Sequence, residues 1–185
     1  MIILASGSPR RQELLKKLCN NFKIEVCNAP EIETADNPTE LAIKNATIKA
    51  ETVAQKFLGD IVIGADTIVV LNGKIFGKPH GEKGAFEMLK TLSGKKHEVI
   101  TGLAICKGGK TFTASEVAEV YFGEMTDAEI SEYVATGEPL DKSGSYALQG
   151  GAAKFIEKIY GDWSNVVGLP LYRLRTLAKA VGFNF

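Results

Sequence analysis

Residues 4–15 read Leu-Ala-Ser-Gly-Ser-Pro-Arg-Arg-Gln-Glu-Leu-Leu, and this stretch predicts a buried strand that passes through a tight loop into a helix. The apolar opening gives way to small polar residues at Ser6, and a helical pattern follows from Pro9 to Leu18. Ser8 suits the N-cap of that helix. Pro9 suits its first position, because proline lacks the N–H group that would be unsatisfied there. The stretch therefore sets the start of a helix directly behind the end of a strand.

The start of this helix also has the features of an anion site. The free N–H groups of a first helical turn carry the positive end of the helix dipole, and Arg10 and Arg11 add two guanidiniums there. Such a site suits a ligand with several negative oxygens, and phosphate at the helix start beside Ser8 is the natural candidate. The alternative is an ordinary strand–turn–helix with a solvated arginine pair. The stretch matches neither a P-loop nor a dinucleotide-binding fingerprint.

The composition is that of a globular protein with one domain or two closely joined lobes. The 185 residues are 45% hydrophobic and 24% charged, and 22 Lys+Arg balance 22 Asp+Glu. This balance gives no indication of a nucleic-acid polymer as partner. The three cysteines form no C-x-x-C pair, which favours buried thiols in a reducing cytosol. No leader pattern or bilayer-length apolar run is found, so we expect a cytoplasmic protein without a membrane partner.

The rest of the chain alternates between strand and helix patterns. The most apolar stretch, 61–71, predicts a central strand covered on both faces, and Asn72-Gly73 predicts a type I′ turn after it. The polar, glycine-rich stretch 137–151 predicts a long functional loop. Further strands are expected at 22–26, 74–77, 97–106, 111–122 and 155–160, and further helices at 38–56, 81–92, 126–136 and 169–180.

Asp66 is the anomalous residue of the central strand. A carboxylate inside an apolar strand loses its hydration unless it has polar partners or a metal ion, and such carboxylates cluster at active sites. Gly64 and Ala65 are expected to leave space for a ligand beside it, and Thr67 offers a hydroxyl just beyond. The alternative is a structural aspartate bonded to backbone amides at a bulge.

Two further places could contribute to a phosphate or metal site. Glu31 and Glu33 lie on an acidic loop, and either one together with Asp66 would suffice for Mg²⁺ or Mn²⁺, which bind phosphates through one or two carboxylates. Lys78 lies between Gly77 and Pro79, which would hold its ammonium in a defined place, as a phosphate-binding lysine requires. The alternatives are solvated glutamates and an exposed turn lysine.

Four separated motifs closely resemble those of the Maf family. They are residues 4–15, Gly64-Ala65-Asp66-Thr67, Gly77-Lys78-Pro79 and residues 143–150, which read Ser-Gly-Ser-Tyr-Ala-Leu-Gln-Gly. The resemblance extends over essentially the whole chain, which it marks as a single Maf-like domain, 1–185. Proteins of this family were named for inhibition of septum formation and act as nucleoside triphosphate pyrophosphatases. The branch that prefers dTTP and UTP is most similar, and the resemblance implies Arg10, Thr67 and Gln149 as its specificity residues.

The resemblance implies an α/β fold with an elongated mixed sheet flanked by helices, and two lobes around a central cleft, similar to inosine-triphosphate pyrophosphatases. It also implies dependence on Mg²⁺ or Mn²⁺ and a homodimer. Asp66 would accept a proton from the attacking water, and Glu33 and Asp66 would hold the metal. The phosphate and metal site implied by the resemblance consists of Ser6, Arg11, Glu33, Lys49 and Lys78.

The expected reaction is attack of water on the α-phosphorus of dTTP or UTP, which releases the monophosphate and pyrophosphate. One rival is a sugar-nucleotide transferase, because Leu-Ala-x-Gly-x-x-x-Arg also resembles the first loop of those enzymes. Transferases have longer chains and need a sugar phosphate as second substrate. The other rival is a non-catalytic, nucleotide-binding regulator of cell division, which would bind dTTP without releasing pyrophosphate.

Overall fold

The computed structural model describes all residues, 1–185, and gives a mixed α/β fold. Its strands are β1 (Ile2–Leu4), β2 (Phe22–Ile24), β3 (Ile61–Leu71), β4 (Lys74–Phe76), β5 (Lys96–Lys107), β6 (Lys110–Phe122) and β7 (Ile156–Tyr160). Its helices are α1 (Pro9–Lys16), α2 (Pro38–Ala54), α3 (Gly81–Leu92), α4 (Asp127–Ala135), α5 (Trp163–Val167) and α6 (Leu171–Ala180).

The seven strands form one sheet in the order β2-β1-β3-β5-β6-β7, with β4 paired to β3. Strand β1 runs parallel to both of its neighbours, so that Leu4 lies opposite Ile24 on β2 and Ile63 on β3. Strands β3 and β4 are antiparallel, as are β6 and β7. The predicted mixed sheet with a central, buried β3 is thus confirmed.

The β3–β4 hairpin confirms the predicted turn. Asn72 and Gly73 have φ angles of +50° and +77°, and a type I′ turn needs positive φ at both central residues. Asparagine and glycine adopt that conformation at the least steric cost. The turn therefore fixes the register in which Leu71 faces Lys74.

The chain divides into two compact units, which agrees with the expectation of two lobes. The first unit consists of residues 1–67, 100–116 and 164–185, and the second of residues 68–99 and 117–163. The expected cleft stays a prediction.

Close packing of α2 on the sheet organises the first unit. A Cβ atom at Gly64 would lie 2.3 Å from the Ala46 carbonyl oxygen, and one at Gly102 would lie 2.3 Å from the Ala42 backbone. Glycine is therefore required at both positions, because the helix backbone rests directly on β3 and β5. The expectation that Gly64 leaves space for a ligand is wrong, since α2 fills that space. A hydrophobic core cluster between α2 and the sheet consists of Ile3, Ala5, Ala46, Ala50, Val53, Val62, Ala104 and Cys106.

Several segments differ from the sequence prediction. Helix α5 was not expected, and α6 begins at Leu171, two residues later than predicted. The expected long loop contains three short 3-10 turns, at Glu138–Asp141, Ser143–Ser145 and Gly151–Phe155. All three cysteines are free thiols, of which Cys106 is buried while Cys19 and Cys27 are half-buried. None of the helices has the length and apolar character needed to span a membrane.

Candidate active site

The β1–α1 loop forms the first side of the site. Ser8 is the N-cap of α1 and Pro9 follows at the first helical position, as predicted, but the Ser8 side chain makes no capping hydrogen bond. Instead, the Ser8 backbone N–H donates to Oγ of the buried Ser6 at 3.3 Å. The first turn of α1 contains no acidic residue, so no carboxylate of that turn neutralises the positive end of the helix dipole.

Arg11 is held through all three of its nitrogens. Nε donates to the Gly168 carbonyl at 2.8 Å, Nη1 to Ser6 Oγ at 3.3 Å and Nη2 to Thr67 Oγ1 at 3.1 Å. An arginine carries five N–H donors, so one donor remains on each terminal nitrogen. Burial lowers the pKa of this guanidinium, and the nearby Asp66 carboxylate opposes that shift. A half-buried guanidinium with two remaining donors suits a phosphate group.

Asp66 has charged and polar partners on α2. The residue is only 6% exposed, and its Oδ1 accepts from Lys49 Nζ at 2.6 Å while its Oδ2 accepts from Asn45 Nδ2 at 3.3 Å. Asn45 and Lys49 lie one helical turn apart on α2, so both reach the same carboxylate. The carboxylate is thus held by donor side chains rather than by the backbone amides of a bulge.

The acidic loop approaches the same lysine. Lys49 Nζ also lies 2.7 Å from Glu31 Oε1, so that one ammonium bridges the carboxylates of Glu31 and Asp66. Asn45 fixes this loop by exchanging two hydrogen bonds with the Ile32 backbone, at 2.8 and 2.9 Å. Asn45 was not among the residues predicted for the site. The signal that could have identified it is a polar residue, one turn from Lys49, on a helix face whose other buried residues are all apolar.

The carboxylates of the site fit a divalent cation that takes only one or two of its ligands from the protein. No group of three or more His, Cys, Asp or Glu side chains could form a complete metal cage. Asp66 and Glu31, however, already face one positive charge, the ammonium of Lys49. Mg²⁺ commonly takes one or two carboxylates and completes its coordination shell with phosphates and water. Glu33, which the family resemblance implied as a metal ligand, has an exposed side chain, as does Glu31.

Thr67 and Arg10 flank the arginine. Thr67 follows Asp66 on β3, and its Oγ1 lies 2.9 Å from Oγ1 of Thr101 on β5. Arg10 is half-buried in the first turn of α1, and its charge contributes to the lowered pKa of Arg11. Hydrogen bonds therefore join Ser6, Arg11 and Thr67, while an ion pair joins Lys49 to Asp66.

Lys78 and Gln149 belong to the second unit, and both side chains are exposed. The Gly144 N–H donates to the Gly77 carbonyl at 3.1 Å, which ties the segment before Lys78 to the 143–150 loop. Gly144 has φ +70°, and a Cβ there would lie 2.7 Å from Val69. A side chain at Gly144 would therefore displace the loop that carries Gln149.

Two buried hydrogen bonds hold the 143–150 loop. Tyr146 Oη lies 2.8 Å from Nε2 of His97, and the Ala147 N–H donates to Tyr133 Oη at 3.2 Å. Glu138 accepts from the Gly151 N–H at 2.9 Å and so closes the loop behind Gln149. The loop was predicted from its composition, whereas its buried contact with His97 was not.

Comparison with known proteins identifies the family. A family model described as Maf-like protein matches residues 1–181. The dTTP/UTP pyrophosphatase of Alkaliphilus metalliredigens (strain QYMF) is 49% identical over 177 residues, which cover 94% of this chain and 92% of that protein. The dTTP/UTP pyrophosphatase of Bacillus cereus (strain B4264) is 50% identical over 174 residues, which cover 94% and 91%. The solved structure of the Staphylococcus aureus Ham1 protein is 17% identical, with a TM-score of 0.49, over 83% of this chain and 90% of that one. By the family match and the two dTTP/UTP pyrophosphatases, the chain belongs to the Maf family.

Proposed function

We propose that this chain is a nucleoside triphosphate pyrophosphatase that hydrolyses dTTP and UTP to the monophosphate and pyrophosphate. The observation that carries the proposal is the buried Asp66 carboxylate between Lys49 and Asn45, at a site where Arg11 keeps two unused donors. A base and a phosphate-binding cation are the two elements that hydrolysis of a phosphoanhydride needs. The relatives named dTTP/UTP pyrophosphatases support the substrate class.

Asp66 is the proposed proton acceptor. Each carboxylate oxygen has about two acceptor positions, so the bonds from Lys49 and Asn45 leave capacity for a water molecule. As the water oxygen bonds to the α-phosphorus, its proton passes to Asp66 and the bond from the α-phosphorus to the leaving oxygen breaks. Pyrophosphate then leaves with the electrons of that bond.

The phosphates need positive charge and donors, which several segments provide. We propose that Arg11, Ser6 and the N-terminus of α1 at Ser8 bind phosphate oxygens, together with Lys49 and Lys78. Preorganised donors of this kind usually contribute most to phosphoryl-transfer rates, because they face the charge that develops in the transition state. Support comes from the Ser6–Arg11 hydrogen bond and from the first turn of α1, which lacks an acidic residue.

A divalent cation, Mg²⁺ or Mn²⁺, belongs to the proposal. Asp66 and Glu31 would hold it, since both carboxylates already face the ammonium of Lys49. Glu33 is the alternative that the family resemblance implies. When bound, the cation would neutralise phosphate oxygens and polarise the reacting phosphoryl group. Pyrophosphate release should stop with a chelator and return on addition of Mg²⁺ or Mn²⁺.

We propose that Arg10, Thr67 and Gln149 determine the base preference. Gln149 can offer both a carbonyl acceptor and amide donors to a pyrimidine edge. Support comes from the loop contacts of Tyr146 and Gly144, which hold the segment that carries Gln149. Gln149→Ala should lower activity on dTTP and UTP more than activity on ATP, and an equal loss on all three would refute base reading.

We propose further that the chain acts as a single Maf-like domain, forms a homodimer and works in the cytoplasm. The family match over residues 1–181 supports one functional domain. The three free cysteines are those of a protein from a reducing compartment. Light scattering on the purified protein would test the dimer.

The decisive experiment measures pyrophosphate release from dTTP, UTP, CTP, GTP and ATP with Mg²⁺ or Mn²⁺. Wild type should act mainly on dTTP and UTP, and Asp66→Asn should bind nucleotide but turn over about 10²- to 10⁴-fold more slowly. Asp60→Asn is the matched control, because Asp60 is a carboxylate paired with the N-terminal ammonium. Nucleotide binding without release in wild type would favour the regulator, and release only with a sugar phosphate would favour the transferase.

A further inference from the structure

We propose that Thr101 is a positioning residue, which fixes the orientation of the Arg11 guanidinium through Thr67 without touching the substrate. Thr101 lies on β5 and is 0% exposed. Its Oγ1 lies 2.9 Å from Thr67 Oγ1, which in turn accepts from Arg11 Nη2 at 3.1 Å. This inference rests on the proposed function of Arg11 in binding phosphate.

The protons along this chain can run in only one direction. Thr101 Oγ1 lies 3.1 Å from the Asn165 carbonyl oxygen, which can only accept, so Thr101 donates its single proton there. In the Thr67–Thr101 contact, Thr67 must therefore be the donor. Arginine can only donate, so the last bond runs from Arg11 to Thr67. The result is a single, fully determined chain from Arg11 through both threonines to a backbone carbonyl.

This direction restricts what Thr67 can do. Its hydroxyl proton is committed to Thr101, so Thr67 has no donor to offer a nucleotide base. Its oxygen remains available only as an acceptor, and one acceptor position is already taken by Arg11. Thr67 can therefore contact a base only as an acceptor, whereas a change at Thr101 should act through the Arg11 guanidinium and should affect dTTP and UTP alike.

The same segment of chain anchors the other side of the guanidinium. Gly168, three residues after Asn165, accepts from Arg11 Nε at 2.8 Å. The N–H groups of Gly168 and Leu169 both donate to the Ser164 carbonyl, so the end of α5 is itself held in place. Gly168 has φ +120°, and a Cβ there would lie 3.3 Å from Thr67 Oγ1. The carbonyls of Asn165 in α5 and of Gly168 just after α5 thus hold Arg11, the second directly and the first through Thr101 and Thr67.

The test is a kinetic double-mutant cycle between Thr101→Val and Arg11→Lys, with pyrophosphate release from dTTP and UTP as the readout. Lysine keeps the positive charge but cannot repeat the three-nitrogen contact. In the wild-type background, Thr101→Val should lower kcat/KM about tenfold for both nucleotides, because a misplaced binding group costs rate steeply. In the Arg11→Lys background it should cost less than twofold. Thr101→Ser, which keeps the hydroxyl, should restore activity to within twofold of wild type.

Controls separate positioning from loss of fold. Thr111→Val removes a threonine that donates to Glu51 elsewhere on the sheet, and its activity should equal that of wild type. If Thr101→Val does not fold, as a thermal melt would show, Thr67→Val breaks the same chain one bond earlier and should show the same coupling to Arg11. An equal loss in both Arg11 backgrounds would overturn the inference. Absence of pyrophosphate release by the wild type would instead overturn the proposed function.

Discussion

Acidification should destabilise this protein through His97, which is 1% exposed and lies on β5. Its ring packs edge-on against Phe122 and Tyr146, with centroid distances of 4.9 and 5.4 Å, and its Nε2 lies 2.8 Å from Tyr146 Oη. Burial lowers the pKa of His97 to about 4, with a smaller opposing contribution from the Lys95 backbone. Burial also raises the pKa of Tyr146 above its ordinary value, so that its hydroxyl keeps its proton.

The size of the effect follows from the difference between folded and unfolded pKa values. In the unfolded chain the pKa of histidine is about 6.5, whereas in the folded protein it is about 4. Between these values the unfolded state binds more protons, so stability is complete above pH 6.5 and falls as the pH decreases toward 4. One pKa unit corresponds to about 1.4 kcal/mol, so His97 should cost about 3 kcal/mol of unfolding free energy at pH 4.

Urea unfolding at a series of pH values from 7.5 to about 4 measures this cost. His97→Gln removes the titrating ring, so its unfolding free energy should fall by about 3 kcal/mol less than that of wild type over this range. His80→Gln is the matched control, because it makes the same substitution at an exposed position. Equal slopes for wild type and His97→Gln would refute the reasoning.

Two further predictions concern the backbone. Gly102→Ala should destabilise the fold by about 3 kcal/mol or more in urea unfolding, because the new Cβ would lie 2.3 Å from the Ala42 backbone. Gly59→Ala is the control, because a Cβ at Gly59 would have no atom within 4 Å. It should cost only about 1–2 kcal/mol, which is the strain of placing alanine at the positive φ of Gly59. A cost for Gly102→Ala no larger than that for Gly59→Ala would contradict the close helix contact. Thr126→Ala should cost about 1 kcal/mol by removing the capping box with Glu129, and Thr126→Ser should keep the stability of wild type in thermal melts.

Local sequence signals were sufficient for most of the fold. The bounds of β3 and α3 agree with the prediction, because an apolar run and an amphipathic pattern each have sharp ends in this chain. The Asn72-Gly73 turn follows from two residues that tolerate positive φ. Helix α5 has only five residues, too few to show a helical period, and so could not be predicted from periodicity.

The candidate site was predictable only in part. Asp66 is conspicuous because a carboxylate interrupts an apolar strand. Arg11 is conspicuous because it lies in the first turn of a helix that begins with proline. The partners Thr101 and Gly168 carry no such local signal, since each acts only after distant segments have come together. The prediction that Glu33 holds the metal has not been tested, while the structure places Glu31 on Lys49.

The small residues of α2 and β3 explain how a buried carboxylate obtains its partners. Gly64 and Asp66 are two residues apart on β3, so they lie on the same face of the sheet. That face is covered by α2, whose backbone at Ala46 and Ala50 comes as near as the missing side chain of Gly64 permits. This approach brings the flanking Asn45 and Lys49 side chains within hydrogen-bonding distance of Asp66. Gly64 therefore contributes to the site not by leaving room for a ligand but by setting the helix distance at which one lysine can hold two carboxylates.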